Sequence, residues 1–350
     1  MNLKEMTEEL VKLRTVEGNP GEVEKGLKLV EEELPDDFQI QRFEKGGEKS
    51  LLATKGEAEI LIHGHIDVVG AEEALFQPET REGKIYGRGT ADMKSGIACI
   101  LKAVQEVETR NIGVLITSDE ERGGFNGTGY VIEETGIEPE LAISAEPDDS
   151  GNFPSIVTKQ KGVLQLELEV SGENAHASKP DKGENAAEKL IAKYQQFKEG
   201  FDHETEFGTT INLGSISCNG PTNQIPDSAS LQVDIRYSKQ YDSKEILSDL
   251  EETEGLNYEI LSKAPMLETS ENIEKVRYLQ ETAEEVTGEE AEFRKENFAS
   301  DMRFFTEKGV PAVCFGPEGY NLHAEDEYAE VEGLEVYCEI LKNFLESELK

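Results

Sequence analysis

Short apolar runs alternate with amphipathic stretches through the first part of the chain. Ile60-Leu61-Ile62 and Val114-Leu115-Ile116 read as buried strands, whereas Ser95 to Val107 carries apolar residues at helical spacing. The opening MNLKEMTEELVKLRTVEG predicts a charged amphipathic helix, and a second helix is expected near residues 20 to 34. This alternation predicts an α/β fold, a central mixed sheet with flanking helices. Near residue 163 the texture changes, because VLQLELEV alternates apolar and acidic residues with period two, as a sheet with one wet face does. The order then reads strand (163 to 170), helix (184 to 199), strand (208 to 217), strand (229 to 238), helix (242 to 253) and strand (256 to 262), which is the ferredoxin-like split βαβ arrangement. A helix near 271 to 287, a short strand at Ala312 to Phe315 and a closing amphipathic helix from Val331 to Leu349 are expected to rejoin the first sheet. The predicted domains are therefore 1-162 with 268-350, and an inserted α+β domain, 163-267. A length of 350 residues agrees with two cores, since single cores rarely exceed roughly 250 to 300 residues.

Charge narrows the partners. Lys plus Arg is 35 and Asp plus Glu is 74, a net charge of −39, which argues against nucleic acid. Acid spread evenly over a surface reads as adaptation to high internal salt, where screening relieves the repulsion; the plain alternative is a merely acidic enzyme. The four cysteines (Cys99, Cys218, Cys314, Cys338) lie far apart with no C-x-x-C pair, so reduced thiols are expected and no metal site built on sulfur. The first helix lacks the apolar core of a signal peptide, and nothing approaches 18 consecutive apolar residues. A soluble, cytoplasmic protein without membrane contact is expected.

Five segments carry candidate chemistry. In LIHGHIDVVG, His65 and Asp67 are two apart and would share a strand face, where a carboxylate can orient a metal-binding imidazole; alone, the pair reads better as a structural hydrogen bond. His63 shares that face and is taken as structural. GRGTADMKSG runs a glycine-rich turn into a helix and leaves Asp92 near its start, either as an ordinary cap or as a carboxylate bridging two cations. VLITSDEERGG ends a buried strand in Asp119, Glu120 and Glu121, at the sheet edge where ligands bind in open α/β folds. A cation can take one of two adjacent acids as ligand and leave the other to handle a proton, while the bland reading is a solvated acidic turn. LAISAEPDD ends in Glu146, and GPEGYNLHAEDEY brings His323 on a glycine-rich loop. Together these offer imidazoles and carboxylates suited to a pair of zinc-type ions about 3.5 to 4 Å apart sharing one carboxylate.

In this order the segments resemble the di-zinc amidohydrolase and peptidase superfamily that includes acetylornithine deacetylase, succinyl-diaminopimelate desuccinylase, aminoacylase and the glutamate-releasing carboxypeptidases. The resemblance runs nearly the whole chain and implies a zinc-exopeptidase-like catalytic domain with an inserted lid and dimerisation domain. It makes His65, Asp92 and Glu146 ligands of one ion and Asp92, Glu121 and His323 ligands of the other, with Asp92 as the bridge. Asp67 becomes the partner of His65, and Glu120 the general base that takes a proton from the metal-bound water and returns it to the leaving amine. Family members often have a cis peptide after the bridging aspartate, here Asp92-Met93. The resemblance also casts His176 in ENAHASKPDKGENAA as the residue polarising the scissile carbonyl, in dimers from the opposite subunit. Asn223 in PTNQIPDSA and Arg236 in VDIRYS become contacts for the substrate carboxylate or oxyanion. By themselves Asn223 and Arg236 are ordinary surface polars, although an arginine fork suits a carboxylate.

The resemblance implies two divalent ions, with zinc favoured and cobalt or manganese able to occupy the same donors, a homodimer through residues 163-267, and a small anionic substrate. In KENFASDMRFF, Ser300 and Asp301 fit the family as pocket residues, whereas Phe298 and Ala299 replace a glycine and hydroxyl pair seen in the desuccinylases. A tighter, more apolar pocket argues for a smaller acyl chain such as acetyl. Deacylation of an N-acyl amino acid is thus the expected activity. A cytosolic dipeptidase or carboxypeptidase using the same machinery is the alternative, and a non-catalytic binding protein that keeps the fold is the reading from another class.

Overall fold

Alternation along single strands assigns the two faces of the main sheet. The computed structural model describes residues 1–108, 110–201 and 207–348. Contacts divide it into one unit of Met1–Lys159, Leu267–Lys295 and Ser300–Lys350, and another of Gln160–Met266 with Glu296–Ala299.

In the first unit the strands of the main sheet are β1 (Gln39–Lys45), β2 (Glu48–Lys55), β3 (Ile60–His65), β4 (Ile112–Thr117), β5 (Leu141–Ser144), β6 (Ser155–Gln160), β7 (Leu267–Glu268), β8 (Glu292–Glu296) and β9 (Ala312–Cys314). Their order is β1-β2-β4-β3-β5-β9-β6-β7, with β8 also paired to β6. The centre (β4, β3, β5, β9) is parallel and the β1-β2 and β2-β4 pairs are antiparallel, so the sheet is mixed, as expected. Ile60, Ile62, Val114, Ile116, Leu141 and Ile143 enter one core with the helices Leu3–Lys12, Pro20–Glu33, Ser95–Glu106, Glu274–Thr287 and Val331–Glu348. Their neighbours Leu61, Leu115 and Ala142 enter a second core, on the opposite face, with the helices Thr128–Thr135 and Met302–Glu307. Strands buried on both faces read as continuous apolar runs, which is why β3 and β4 were visible from hydropathy alone.

The chain passes from β3 to β4 on one side and then crosses to β5 on the other. That reversal opens a crevice at the carboxyl ends of the parallel strands, the usual ligand position in such sheets. The β1-β2 hairpin was not anticipated, although Gly46 and Gly47 (φ 61° and 90°) are the glycine pair that a tight hairpin turn requires. Nor was the small sheet of Glu79–Arg81, Lys84–Tyr86 and Tyr328–Glu330 anticipated, because its strands are too short to show a period.

In the second unit the elements Gly162–Ser171, Ala186–Lys198, Thr210–Cys218, Ser228–Tyr237, Ser243–Glu252 and Asn257–Ala264 follow in the ferredoxin-like order. The antiparallel sheet places Thr210–Cys218 at one edge and Asn257–Ala264 at the other. Leu164, Leu166, Leu168 and Val170 face both helices, while the acidic alternates point away from that core. Both helices are capped by sequence: Asn185 accepts from Ala187 and Glu188, and Asp242 forms a reciprocal box with Glu245. Among the described residues no helix is long and apolar enough to cross a membrane.

Candidate metal centre

Each parallel strand of the first unit hands one or two side chains to the crevice. β3 ends in His65, and the chain leaves the strand before Asp67. β4 runs into a single turn, Glu120–Arg122, closed by Gly123 at φ 101°. β5 stops two residues before Glu146, and the loop after β9 delivers His323. Asp92 comes from the irregular turn Thr90–Lys94 ahead of the helix Ser95–Glu106. Its own backbone is extended (φ −117°, ψ 96°) and the Asp92-Met93 peptide is cis, as the resemblance implied. Gly89 (φ 78°) permits this turn, since a Cβ there would lie 2.4 Å from Val68.

The carboxylate of Asp92 reaches both imidazoles, one oxygen each. Its Oδ1 lies 3.0 Å from His65 Nε2 and its Oδ2 3.1 Å from His323 Nε2. Glu146 is 3.7 Å from His65, and Glu121 is 3.2 Å from His323. Donor atoms gather into two groups, His65 with Glu120 and Glu146, and Asp92 with Glu121 and His323. Asp67 acts more widely than a partner of His65 alone. Its carboxylate accepts from the backbone N–H of Glu120 (3.3 Å) and Glu121 (3.1 Å), and so holds the acidic turn. His65 Nδ1 lies nearer the Asp67 backbone oxygen (3.0 Å) than its carboxylate (3.5 Å). The main chain after the strand turns back under the ring, which two positions of one strand face would not do.

The electrostatics call for cations. Burial pushes Glu120 well above the usual carboxylate range, reinforced by the charge of Glu146, and burial lifts Glu146 itself to about 8. His323 rises to about 10 through hydrogen bonds with Asp92 and Glu121. Burial opposes charge on His65, yet Glu146, Asp67 and Asp92 hold it well above its ordinary value. Carboxylates and imidazoles gathered at this density suit divalent ions, whose charge would favour the ionised carboxylates and the neutral imidazoles. Glu146 Oε1 is buried without a hydrogen-bond partner, an orphaned acceptor that suits a metal ligand. Imidazole and carboxylate donors with no thiolate fit zinc, cobalt or manganese.

The remaining sequence candidates lie elsewhere. Ser300 is buried in the first unit, its Oγ 3.1 Å from Cys314 Sγ, so it is packed in the core behind the crevice. In the second unit His176 and Asn223 come together: Ala175–His176 pairs with Gln224–Ile225, and Ala177 N–H donates to the Asn223 carbonyl. His176 is exposed, with Nδ1 2.8 Å from Ser178 Oγ. Arg236 does not present a free fork, because Nε and a terminal nitrogen donate to Asp234 at 2.7 and 3.2 Å. His63 is structural: its ring meets Ser144, Thr117 and Thr128 within 3.1 Å. Two residues escaped the sequence reading. Glu327 accepts from the backbone of Ala91 and Asp92, and Arg88 pairs with Glu327. Within HAEDEY, Glu327 is one of several acids, so nothing but its spacing after His323 sets it apart.

A mixed sheet whose strand ends gather donor groups around a shared carboxylate defines a metal-dependent hydrolase of the α/β class. The sequence profile of peptidase family M20/M25/M40 matches residues 61–347, and the chain belongs to that family. It is 30% identical to a succinyl-diaminopimelate desuccinylase of Nitratiruptor sp., across 91% of this chain and 94% of that protein. Its fold is similar to an M20 family metallo-carboxypeptidase from Sulfolobus solfataricus (TM-score 0.77, 19% identity, 99% of each chain). It is also similar to a dinuclear metal-binding M20 peptidase from Bacillus subtilis (TM-score 0.70, 16% identity, 99% of this chain and 97% of that one).

Proposed function

We propose that the chain deacylates a small anionic N-acyl amino acid at a centre of two divalent ions, zinc before cobalt or manganese. The observation that carries this reading is the Asp92 carboxylate, which spans His65 and His323 with one oxygen each. His65, Asp92 and Glu146 would hold one ion, and Asp92, Glu121 and His323 the other. Bound there, the ions supply Lewis acidity toward the scissile carbonyl and lower the pKa of water. Glu120, raised by burial, takes the proton of the attacking water and passes it to the leaving amine. Asp67 holds the turn that carries Glu120. His176 would polarise the scissile carbonyl, in a dimer from the opposite subunit, and Asn223 and Arg236 would hold the substrate carboxylate or the oxyanion, Arg236 exchanging Asp234 for it.

The relatives named as desuccinylases support an acyl amino acid as substrate. Phe298, exposed by 47%, and Ala299 favour a shorter acyl group such as acetyl. Cleavage of a dipeptide by the same residues is the second reading, supported by the likeness to peptidases of the family. The edge strand Thr210–Cys218 shows Leu213 and Ile216 to solvent at 39% and 50%, which supports a homodimer through 163-267. The net charge supports a cytoplasmic enzyme adapted to high salt.

Hydrolysis of N-acetyl and N-succinyl amino acids and of dipeptides, measured in molar potassium chloride with added zinc, tests the reading. Wild type should turn over one substrate class, chelation should abolish this, and Glu120→Ala should lose about 10²- to 10⁴-fold in kcat. Turnover by Glu120→Ala equal to wild type would sink the general-base assignment.

A further inference from the structure

Arg88 and Glu327 form an ion pair whose side chains are exposed by 4% and 1%. The side-chain hydrogen bonds that this pair makes lead to the turn and the loop that carry two metal-ligand candidates. Glu327 Oε1 accepts from the backbone N–H of Ala91 at 3.0 Å and of Asp92 at 3.2 Å, while its Oε2 accepts from Arg88. The other terminal nitrogen of Arg88 donates to the backbone carbonyl of His323 at 2.8 Å. His323 sits at φ 64°, a left-handed backbone that a residue with a Cβ adopts only when its surroundings impose it. Its side chain is 49% exposed, so packing of the ring does not hold it there. Asp92 and His323 are 231 residues apart in sequence; the segments around them are also joined by the pairing of Lys84–Tyr86 with Tyr328–Glu330 and by the Gly87 N–H donating to the Glu327 carbonyl at 3.1 Å, but neither of these ties reaches the backbone of Asp92 or His323.

We propose that Arg88 and Glu327 are positioning residues of the metal centre, a buried arm that sets the Asp92 carboxylate against the His323 ring and so sets the spacing of the two ions. Neither residue would itself be a ligand: Arg88 offers no acceptor, and both oxygens of Glu327 are engaged by Arg88 and the two amides. This inference rests on the assignment of Asp92 and His323 as ligands. A buried ion pair is seldom more stabilising than an apolar pair of similar volume, so stability alone does not account for it. The arm is also asymmetric. Glu327 acts on Asp92, which both ions share, whereas Arg88 reaches His323, which serves one ion.

Chelator-stripped full-length protein titrated with zinc, by calorimetry against a competing chelator, tests the proposal. Arg88→Met should weaken one of two binding events by about 10- to 100-fold and leave the other unchanged. Glu327→Gln should weaken both. A single change strands a buried charge and lowers stability, so the double variant Arg88→Met with Glu327→Leu is included. It should recover the urea midpoint of wild type yet keep the weakened zinc binding, which a purely structural pair would not do. A double variant that binds both ions as wild type does overturns the proposal. Wild type that takes up fewer than two ions overturns the ligand assignment, and this inference with it.

Discussion

His63 stands two residues from a metal-ligand candidate and has a different task. Burial, and then the charge of His65, push its imidazole down to about 3 from an ordinary 6.5, so it is a neutral hydrogen-bonding group between Ser144, Thr117 and Thr128. Between those pH values the unfolded chain binds a proton that the folded chain refuses. The stability from this site is complete above pH 6.5 and is lost as pH falls toward 3. In His63→Gln the fall of the urea midpoint with acid should be shallower across that window; an unchanged slope would show that His63 contributes nothing. Arg236 presents the opposite case, a surface arginine held by its neighbour Asp234. Asp234→Asn should lower KM for an anionic substrate with kcat little changed, and Arg236→Ala should raise it; equal KM values in both variants would remove Arg236 from substrate binding. His65, Asp92, Glu120, Glu121, Glu146 and His323 could be read from five short motifs because each ends or follows a recognisable strand or glycine turn. Glu327 and Arg88 could not, since their work is done on backbone groups, which have no signature in sequence.

Elements meet closely where the site is assembled. The helix Ser95–Glu106 approaches the end of β5 through Gly96, where an added Cβ would come 2.6 Å from the Ala145 carbonyl oxygen. Backbone cannot yield there without moving Glu146, the next residue. Gly96→Ala should therefore destabilise by about 1 to 3 kcal/mol and weaken metal uptake together, read by urea unfolding and zinc titration. Zinc binding at wild-type strength would show that the strand end shifts without its ligand. Periodicity revealed the strands and helices that bury a full face, and it predicted the split βαβ order of the second unit element by element. It did not reveal the β1-β2 hairpin, β6, β7, β8 or the three-stranded sheet around Tyr86 and Tyr328. Apart from β2 and β6, those strands are short or lie at edges, where side chains face water and the alternation that marks a core is missing.

The net charge of −39 acts on the whole folded surface. Compaction brings like charges together, and salt screens them within about 10 Å at 0.1 M and about 3 Å at 1 M. The melting temperature should rise from dilute buffer to molar potassium chloride, measured with the metals saturating so that ion binding does not vary. A flat or falling profile would mark the acidity as incidental to stability.

Hydropathy and motif order were enough to determine the fold class, and they picked out the imidazoles and carboxylates that the structure brings to one crevice. These depend on local pattern, on which side chains are apolar, which are acids and which follow a strand. Tertiary structure alone decided how the centre is held together: Asp67 grips the backbone of the Glu120 turn, and Arg88 with Glu327 ties the Asp92 turn to the His323 loop. Such ties join residues far apart in sequence through peptide groups that every residue possesses. No pattern of side-chain types encodes them, and they exist only once the strands have brought their ends to one edge of the sheet.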